Sequence, residues 1–580
     1  MDRLARHHSI LFMIMRRMRA PLILLVLIMS VSVLGLSLVP GLPDDSGNPT
    51  RMSLFHALYF MSYTATTIGF GEVPNDFSEQ QRLWVVVCIY LSVVGWAYTL
   101  GSVFSLLSDR NLRQAISTLR FLRAVARLRE PFYIVCGYGE TGRLICGALD
   151  RMGKRCVVIE IAEERLGHTD LGSYRADVLA LQADARDPEV LRQAGLTRPN
   201  CAGVLALTND DSANLAVAIA ARLLAPKVPT LCRAERRDTA ANMASFGTRH
   251  IINPFAKFGE YLRLALHAPS AWTLLIWLTG LPGTTVERRR DPPRGRWVLC
   301  GHGRFGRFIA ETMQQETLPL TVIDKSPPKD GRIAWVQGDG TGAPALEEAG
   351  IRQAVGVICG TGNDIDNLSI AVTARELNPT LFVIMRQNQI ANQALFEVFE
   401  SDLNMVPSEI IAHECLAVLN TPLLTPFLDA MRTRDDDWAL RQLRKLTGRF
   451  GWQVPEVWSL RINLQQAPAL YRRLMQGESI RLSTLWHAPH NRHEHLPLEV
   501  LYIERDDDDN LLMPGGETGI RPGDELLFAG LARARSELEL ALRNEYALHY
   551  LLTGEELPRG WVWQRLAPRL RRPPTPPTEL

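Results

Sequence analysis

At 580 residues the chain is too long for one domain, and about 150 residues per domain suggests roughly four units. Hydrophobic residues make up 46% and charged ones 22%, the balance of a mostly globular protein, so membrane segments are a minority of it. A formal net charge of +2 gives no argument for a nucleic-acid partner. Nine cysteines without a Cys-x-x-Cys pair exclude a disulfide framework or zinc ribbon and suit a reducing compartment.

Pro21 to Val39 is an uncharged apolar run, long enough to cross a hydrocarbon core of about 30 Å at about 1.5 Å per residue. It exceeds the roughly 7–15 apolar residues of a secretory signal, and no small-x-small cleavage site follows, so it reads as a retained span. Leu83 to Leu107 is a second uncharged run carrying Trp84, Tyr90 and Trp96. Arg3, Arg6, Arg16, Arg17 and Arg19 precede the first span, and Arg110, Arg113, Arg120, Arg123, Arg127 and Arg129 follow the second. Asp44, Asp45, Glu72, Asp76 and Glu79 lie between them against Arg51 and Arg82. The positive-inside rule then predicts a multi-pass protein of the cell inner membrane with both termini cytoplasmic.

Between the spans, Met52 to Tyr63 has the composition of a short pore helix, and it delivers the chain to Thr64-Ala-Thr-Thr-Ile-Gly-Phe-Gly-Glu72. Two glycines alternating with bulkier residues let successive carbonyls point one way, because glycine accepts dihedrals that a Cβ forbids. Non-helical backbone at this depth survives only where protein covers it or water lines it. Thr67, Ile68, Gly69, Phe70 and Gly71 fit rings of oxygens that replace the hydration shell of a cation, with the Thr67 hydroxyl innermost.

This stretch resembles the selectivity-filter signature of potassium channels, with departures at Ile68, Phe70 and Glu72. The order of span, pore helix, filter and span is that of the two-span members. The resemblance implies a homotetramer in the membrane with K⁺ as the permeant ion. In many relatives a pore-helix tryptophan ties the acid after the filter. Tyr59 and Phe60 stand nearest that position here, and Phe70 lacks a hydroxyl, so a loosely tied filter is expected. Gly95 or Gly101 is a candidate hinge in the second span, although glycine in membrane helices more often permits close packing. Arg110 to Arg129 carries apolar residues at helical spacing and reads as a helical linker near the anionic leaflet.

Phe132-Tyr-Ile-Val-Cys136 is an apolar strand followed by Gly137-Tyr-Gly-Glu-Thr-Gly142, a helical pattern, and a second strand, Cys156 to Ile159, ending in Glu160. Strand, G-x-G-x-x-G, helix, strand and acid make a full dinucleotide-binding arrangement. Trp297 to Cys300, Gly301-His-Gly-Arg-Phe-Gly306 and Leu320 to Asp324 repeat it 164 residues later. Asp184 matches Asp339 at an offset of 155, and Asn214 matches Asn367 and Arg233 matches Arg386 at 153. Offsets constant within elements and falling between them point to a duplicated domain.

Each copy resembles a regulator-of-potassium-conductance (RCK, or TrkA-N) domain, through the glycine motif, the acid, and the Gly/Ala-Asp followed by Leu-x-x-Ala-Gly at Leu191 and Leu346. The resemblance implies a cytoplasmic ring of such domains with a regulatory nucleotide. It nominates Gly137, Gly139, Gly142, Glu160 and Asp184 in the first copy, and Gly301, Gly303, Arg304, Gly306, Asp324 and Asp339 in the second. Arg304 suits a phosphate, whereas Glu140 at the matching position repels one, so the second site is expected to bind more tightly. NAD(H), ATP/ADP and other nucleotides remain equally compatible with these residues.

Ala271 to Leu278 is too short to span and too apolar for a free surface, which predicts burial against a partner helix. The same is expected of Glu414 to Met431. Trp458 to about Ala529 alternates short strands and turns and resembles the C-terminal lobe of RCK domains. His487, His490, His493 and His495 are read as a solvated loop, and Asp506 to Asp509 as an acidic hairpin tip. No metal site and no catalytic constellation are assigned.

The expected fold class is a membrane α-helical pore of two spans plus a re-entrant loop, then two α/β Rossmann-like domains and a small α+β lobe. The expected domains are a pore at 1–108, a linker at 109–131, nucleotide domains at 132–283 and 297–455 joined by 284–296, a lobe at 456–532, and a helix with a disordered Pro-rich tail at 533–580. The functional expectation is a nucleotide-gated potassium channel and not an enzyme. An NAD-dependent membrane oxidoreductase and a nucleotide-binding subunit of a transporter are the alternatives.

Overall fold

A computed structural model describes the chain except residues 1, 44–49, 73–75, 172, 173, 176, 249, 281, 286–289, 329, 330, 332, 422, 508 and 557–580. For 2–14, 16, 17, 110–112, 168–171 and 420 it describes the backbone alone. Asp44, Asp45, Arg288, Arg289, Asp508 and the Pro-rich tail after Arg571 thus lie outside the described residues. The chain forms two units, residues 1–127 and 128–580.

The first unit holds α1 (Asp2–Leu38), α2 (Leu54–Ala65), α3 (Glu79–Leu107) and α4 (Arg110–Arg127). Within α1, Met18–Leu38 is long and apolar enough to cross a bilayer, as is α3. Ser78 and Gln81 start α3 with reciprocal side-chain bonds to backbone N–H groups, satisfying donors that a helix end leaves open. The two long helices pack closely because small residues let them. Trp84 lies across Gly35, where a Cβ would stand 2.2 Å from the ring, and its indole N–H donates to the Ser32 carbonyl at 3.2 Å. Gly95 serves the same packing, since a Cβ there would fall 2.8 Å from Ile28. The helix runs unbroken through Gly95 and Gly101.

The second unit contains two six-stranded parallel sheets. Strands β1 (Phe132–Cys136), β2 (Arg155–Glu160), β3 (Leu179–Gln182), β4 (Cys201–Ala206), β5 (Thr230–Arg233) and β6 (His250–Ile252) form the first. Strands β7 (Trp297–Cys300), β8 (Leu320–Asp324), β9 (Ala334–Gln337), β10 (Gly356–Cys359), β11 (Phe382–Arg386) and β12 (Leu403–Met405) form the second. The order is 3-2-1-4-5-6 in each, counted from its own first strand. This is the doubly wound arrangement, whose direction of winding reverses between the first and fourth strands. The central strands are apolar on both faces because helices cover both.

The two sheets complete each other. Helix Pro254–His267 follows β6 but buries Phe255, Phe258 and Leu262 with Trp297, Phe305 and Ile309 of the second copy. Helix Pro407–Asn420 follows β12 and buries Ile411, Ala412 and Cys415 with Ile145 and Leu149 of the first. Each of the larger side chains contributes about 1.5–3 kcal/mol by leaving water, so the exchange holds the copies together. Helix Pro269–Thr279 is buried as its composition predicts, against Phe427, Leu446 and Phe450, with Trp277 stacked on Phe450.

Strands β13 (Glu456–Arg461), β14 (His487–Ala488), β15 (Asn491–His495), β16 (Leu498–Glu504), β17 (Leu511–Leu512) and β18 (Glu525–Gly530) build the lobe. Its main sheet is antiparallel in the order β13-β18-β16-β17. Helices Ala532–Arg543 and Glu545–Thr553 add Leu538, Leu542 and Leu548 to its core, beyond the expected end at 532. The histidine cluster is not a loop: His487 pairs with His495 across β14 and β15, because the two-residue turn Pro489-His490 folds the segment on itself. Asp507 and Asp509 lie on the turn between β16 and β17 and bond Arg521 and Arg505 at 2.8 and 2.9 Å.

Candidate functional site

In the first unit, the segment after α2 takes an alternating backbone. Thr67, Gly69 and Gly71 have φ of 65°, 69° and 91°, while Ile68 and Phe70 between them do not. Thr67 is the informative one, because a β-branched residue enters the left-handed region only when its surroundings hold it there. The holding bonds are visible. The Ile68 N–H donates to the Tyr63 carbonyl at 2.9 Å, and the Thr67 N–H to the Thr64 carbonyl at 3.1 Å.

The expectation of a loosely tied segment is not met. The Tyr63 hydroxyl donates to the Gly71 carbonyl at 2.6 Å, and Phe70 sits edge-on to the Tyr63 ring at 5.3 Å. Glu72 accepts from the Phe77 N–H at 2.8 Å and pairs with Arg82 at 2.9 Å. A hydroxyl four residues before Thr67 supplies the tie sought at Tyr59 and Phe60. Its place in the last turn of α2 was the available signal.

In the second unit, both glycine motifs stand at the C-terminal edge of a central parallel strand. Gly137 and Gly301 have φ of 97° and 94°. A Cβ on Gly142 would lie 2.1 Å from the Gly137 carbonyl oxygen, and one on Gly306 2.0 Å from that of Gly301. Those two glycines are fixed by the strand-to-helix turn itself. Gly139 and Gly303 differ. A Cβ on Gly139 would meet only the Arg165 guanidinium at 3.8 Å, and one on Gly303 nothing within 4 Å. They precede helices Glu140–Arg151 and Arg304–Gln315, whose first N–H groups need acceptors. An open cradle that a methyl would fill, at a helix N-terminus, fits a phosphate.

Glu160 and Asp324 hold these loops. Glu160 accepts from the Tyr138 N–H at 2.6 Å and the Ala162 N–H at 3.0 Å. Asp324 accepts from the His302 N–H at 2.6 Å and the Ser326 N–H at 2.9 Å. Asp184 and Asp339 follow the adjacent strand ends, where Ala183 N–H bonds the Glu160 carbonyl and Gly338 N–H the Asp324 carbonyl. The Arg186 side chain and then its N–H hold Asp184 below the usual carboxylate range. The Thr341 hydroxyl and N–H do the same for Asp339. Burial, then Arg307, push His302 below the ordinary imidazole value. The fold thus brings each glycine loop, its acid and its aspartate to one sheet edge.

Arg304 is engaged elsewhere: its guanidinium pairs with Glu235 of the first copy. Glu140, its counterpart, accepts from the Ile390 N–H of the second copy at 2.8 Å. Sequence reasoning also left Asn214 and Asn367 without a role. Both are fully buried, and each joins the loop after the fourth strand to the end of the fifth. Asn214 accepts from the Thr208 N–H and donates to the Arg233 carbonyl, as Asn367 does for Thr361 and Arg386. Their recurrence at a constant offset was the signal.

Comparison with known proteins agrees with this division. Residues 22–109 match the ion-channel family, and residues 133–254 and 297–407 match the TrkA-N domain. Potassium channel protein 1 of Methanocaldococcus jannaschii is 25% identical over 215 residues, 37% of this chain and 62% of its own. Voltage-gated potassium channel Kch of Escherichia coli is 29% identical over 196 residues, 32% of this chain and 43% of its own. An uncharacterized protein of Methanothermus fervidus is 27% identical over 222 residues, 38% of this chain and 33% of its own. The chain thus spans between a third and about three-fifths of the length of these relatives. A solved structure of the GsuK channel bound to NAD covers 92% of this chain and 99% of its own at 16% identity and TM-score 0.43, a likeness too loose to argue from. By its matched segments, the chain carries an ion-channel segment followed by two TrkA-N domains.

Proposed function

We propose that this chain is a potassium-selective channel whose opening is set by a nucleotide bound to its tandem TrkA-N domains. The observation that carries the reading is the alternation of left-handed backbone at Thr67, Gly69 and Gly71, braced by Tyr63. Such alternation turns successive carbonyls to one side, and four copies about an axis make stacked oxygen rings. A homotetramer in the inner membrane with cytoplasmic termini is part of this reading. The names of the relatives from Methanocaldococcus jannaschii and Escherichia coli support potassium as the ion. Neither an oxidoreductase nor a transporter subunit has a use for such a segment.

The ligand is an adenine nucleotide or NAD(H). Gly139 and Gly303 leave room for its phosphates, Glu160 and Asp324 stand where ribose hydroxyls are held, and Asp184 and Asp339 lie beyond them. The ligand shifts the pore through α4, which continues the chain from α3, by as much as its affinity differs between open and closed states. Purified protein in planar bilayers tests the proposal. Currents reversing near the potassium equilibrium potential and changing with ADP or NAD are expected, while equal passage of sodium would refute the permeation reading.

A further inference from the structure

Each glycine loop meets the other copy across their junction. The loop after β5, residues 234–237, is anchored by Asp211, which accepts from the Glu235 and Arg236 N–H groups at 3.0 and 2.9 Å. The matching loop after β11 is anchored by Asp364, which accepts from the Asn388 and Gln389 N–H groups at 2.6 and 3.0 Å. Each loop touches the fourth residue of the other copy's glycine motif. Glu235 pairs with Arg304, and the Ile390 N–H donates to Glu140. The two loops are anchored alike, but the contacts differ: an ion pair from Glu235 on one side, and a backbone N–H two positions further along its loop on the other.

Glu235 is buried, its side chain 6% exposed, and it pairs with Arg233 as well as Arg304. Arg233 continues to Asn209 at 2.6 Å. Asn209 adjoins Thr208, the residue that a Cβ on Gly137 would touch at 3.1 Å. Arg304, Glu235, Arg233 and Asn209 thus form a series of contacts leading from the second glycine loop toward the first. The Arg304 side chain is 59% exposed and has room to swing. Arg386, stacked on Phe255 with its guanidinium 4.9 Å from the ring centre, adds positive charge beside Glu235. If Arg304 left, Arg233 would still neutralise the carboxylate, so Glu235 would not become an unpaired buried charge.

We propose that Arg304 is shared between two anions, the phosphate of a nucleotide in the second site and Glu235 of the first domain, so that occupancy of the second site releases the loop 234–237. This rests on the nucleotide reading above and adds its regulation. The first site lacks the device: the Glu140 bond to Ile390 uses a backbone donor that a phosphate in that site does not compete for. The second site breaks a cross-link when filled, and the first does not.

The test uses the full-length protein in detergent with ADP and NAD as probes. Glu235→Gln removes the competitor and should tighten nucleotide binding at the second site about fivefold or more, within the range of coupled sites. In an Arg304→Gln background the same change should have no effect on affinity. Hydrogen exchange on the unmutated protein gives a readout that needs no variant at Glu235. Saturating nucleotide should protect peptides over 301–307 and speed exchange over 234–240. The second effect should vanish in Asp324→Ala. Protection at 301–307 with no change at 234–240, or an unchanged affinity in Glu235→Gln, overturns the sharing of Arg304 and leaves the nucleotide site standing. Failure of the unmutated protein to bind either probe overturns the nucleotide reading and this inference with it.

Discussion

The Tyr63 hydroxyl and the Gly71 carbonyl oxygen lie 2.6 Å apart, so the last turn of α2 is tied to the outer end of the 67–71 segment. Tyr63 is buried, and its ring also supports Phe70. Replacing it by phenylalanine keeps the ring and removes a bond worth about 0.5–1.5 kcal/mol. Tyr63→Phe should therefore give channels that assemble normally but inactivate faster, seen as shorter bursts in single-channel records. Unchanged bursts would show that the tie does not hold the conducting state.

Gly69 and Gly71 meet nothing that would block a Cβ, yet their φ values of 69° and 91° disfavour any side chain. Left-handed backbone costs an L-residue about 1–2 kcal/mol, and in the proposed tetramer each subunit would carry that cost. Gly69→Ala should abolish potassium current while the oligomer keeps its size on gel filtration.

The glycines of the nucleotide loops separate shape from access. Gly306→Ala puts a Cβ 2.0 Å from the Gly301 carbonyl oxygen, and should lower the melting temperature by several degrees. Gly303→Ala meets nothing, and should leave the melting temperature within about a degree while weakening ADP binding at least tenfold. These expectations rest on steric overlap in the first case and on lost phosphate approach in the second. Calorimetry on the two variants distinguishes them.

Asn367 is fully buried and satisfies both a loop and a strand end. Asn367→Ala leaves several polar groups without partners, each costing about 1–3 kcal/mol. The variant should unfold at markedly lower denaturant than the unmutated protein, and Asn214→Ala should do the same for the first copy.

His413 adds a pH dependence. Burial pushes its pKa below the ordinary imidazole value, with Glu414 pulling weakly the other way. The unfolded chain then takes up the proton first as pH falls through about 6.5, so stability present at neutral pH is lost on acidification. His413→Gln should flatten the fall in melting temperature between pH 7.5 and 5.5. An unchanged slope would assign that fall to other groups, His302 and His487 among them, which burial shifts in the same direction.

The two spans, both glycine motifs and the duplication were legible because each is written in local pattern. A run without charge, a glycine spacing and a constant offset of 164 need no knowledge of distant partners. Tyr63 escaped because its role depends on how the chain doubles back onto α2. Arg304 was assigned to a phosphate on the chemistry of its own motif, and its partner Glu235 lies 69 residues earlier, in a loop with no pattern of its own. The histidine cluster was misjudged because the prolines beside it also suit the rim of a hairpin. Contacts between copies are set by shape complementarity, which periodicity does not encode.

The trade of helices Pro254–His267 and Pro407–Asn420 between the sheets also constrains how this polypeptide is made and destroyed. While the ribosome has yet to deliver residue 420, the first sheet stands with one flank bare. That surface is expected to stay exposed until the last third of synthesis. A protease nicking either crossing segment would strip a wall from the neighbouring copy, so the pair is expected to be degraded as a single object.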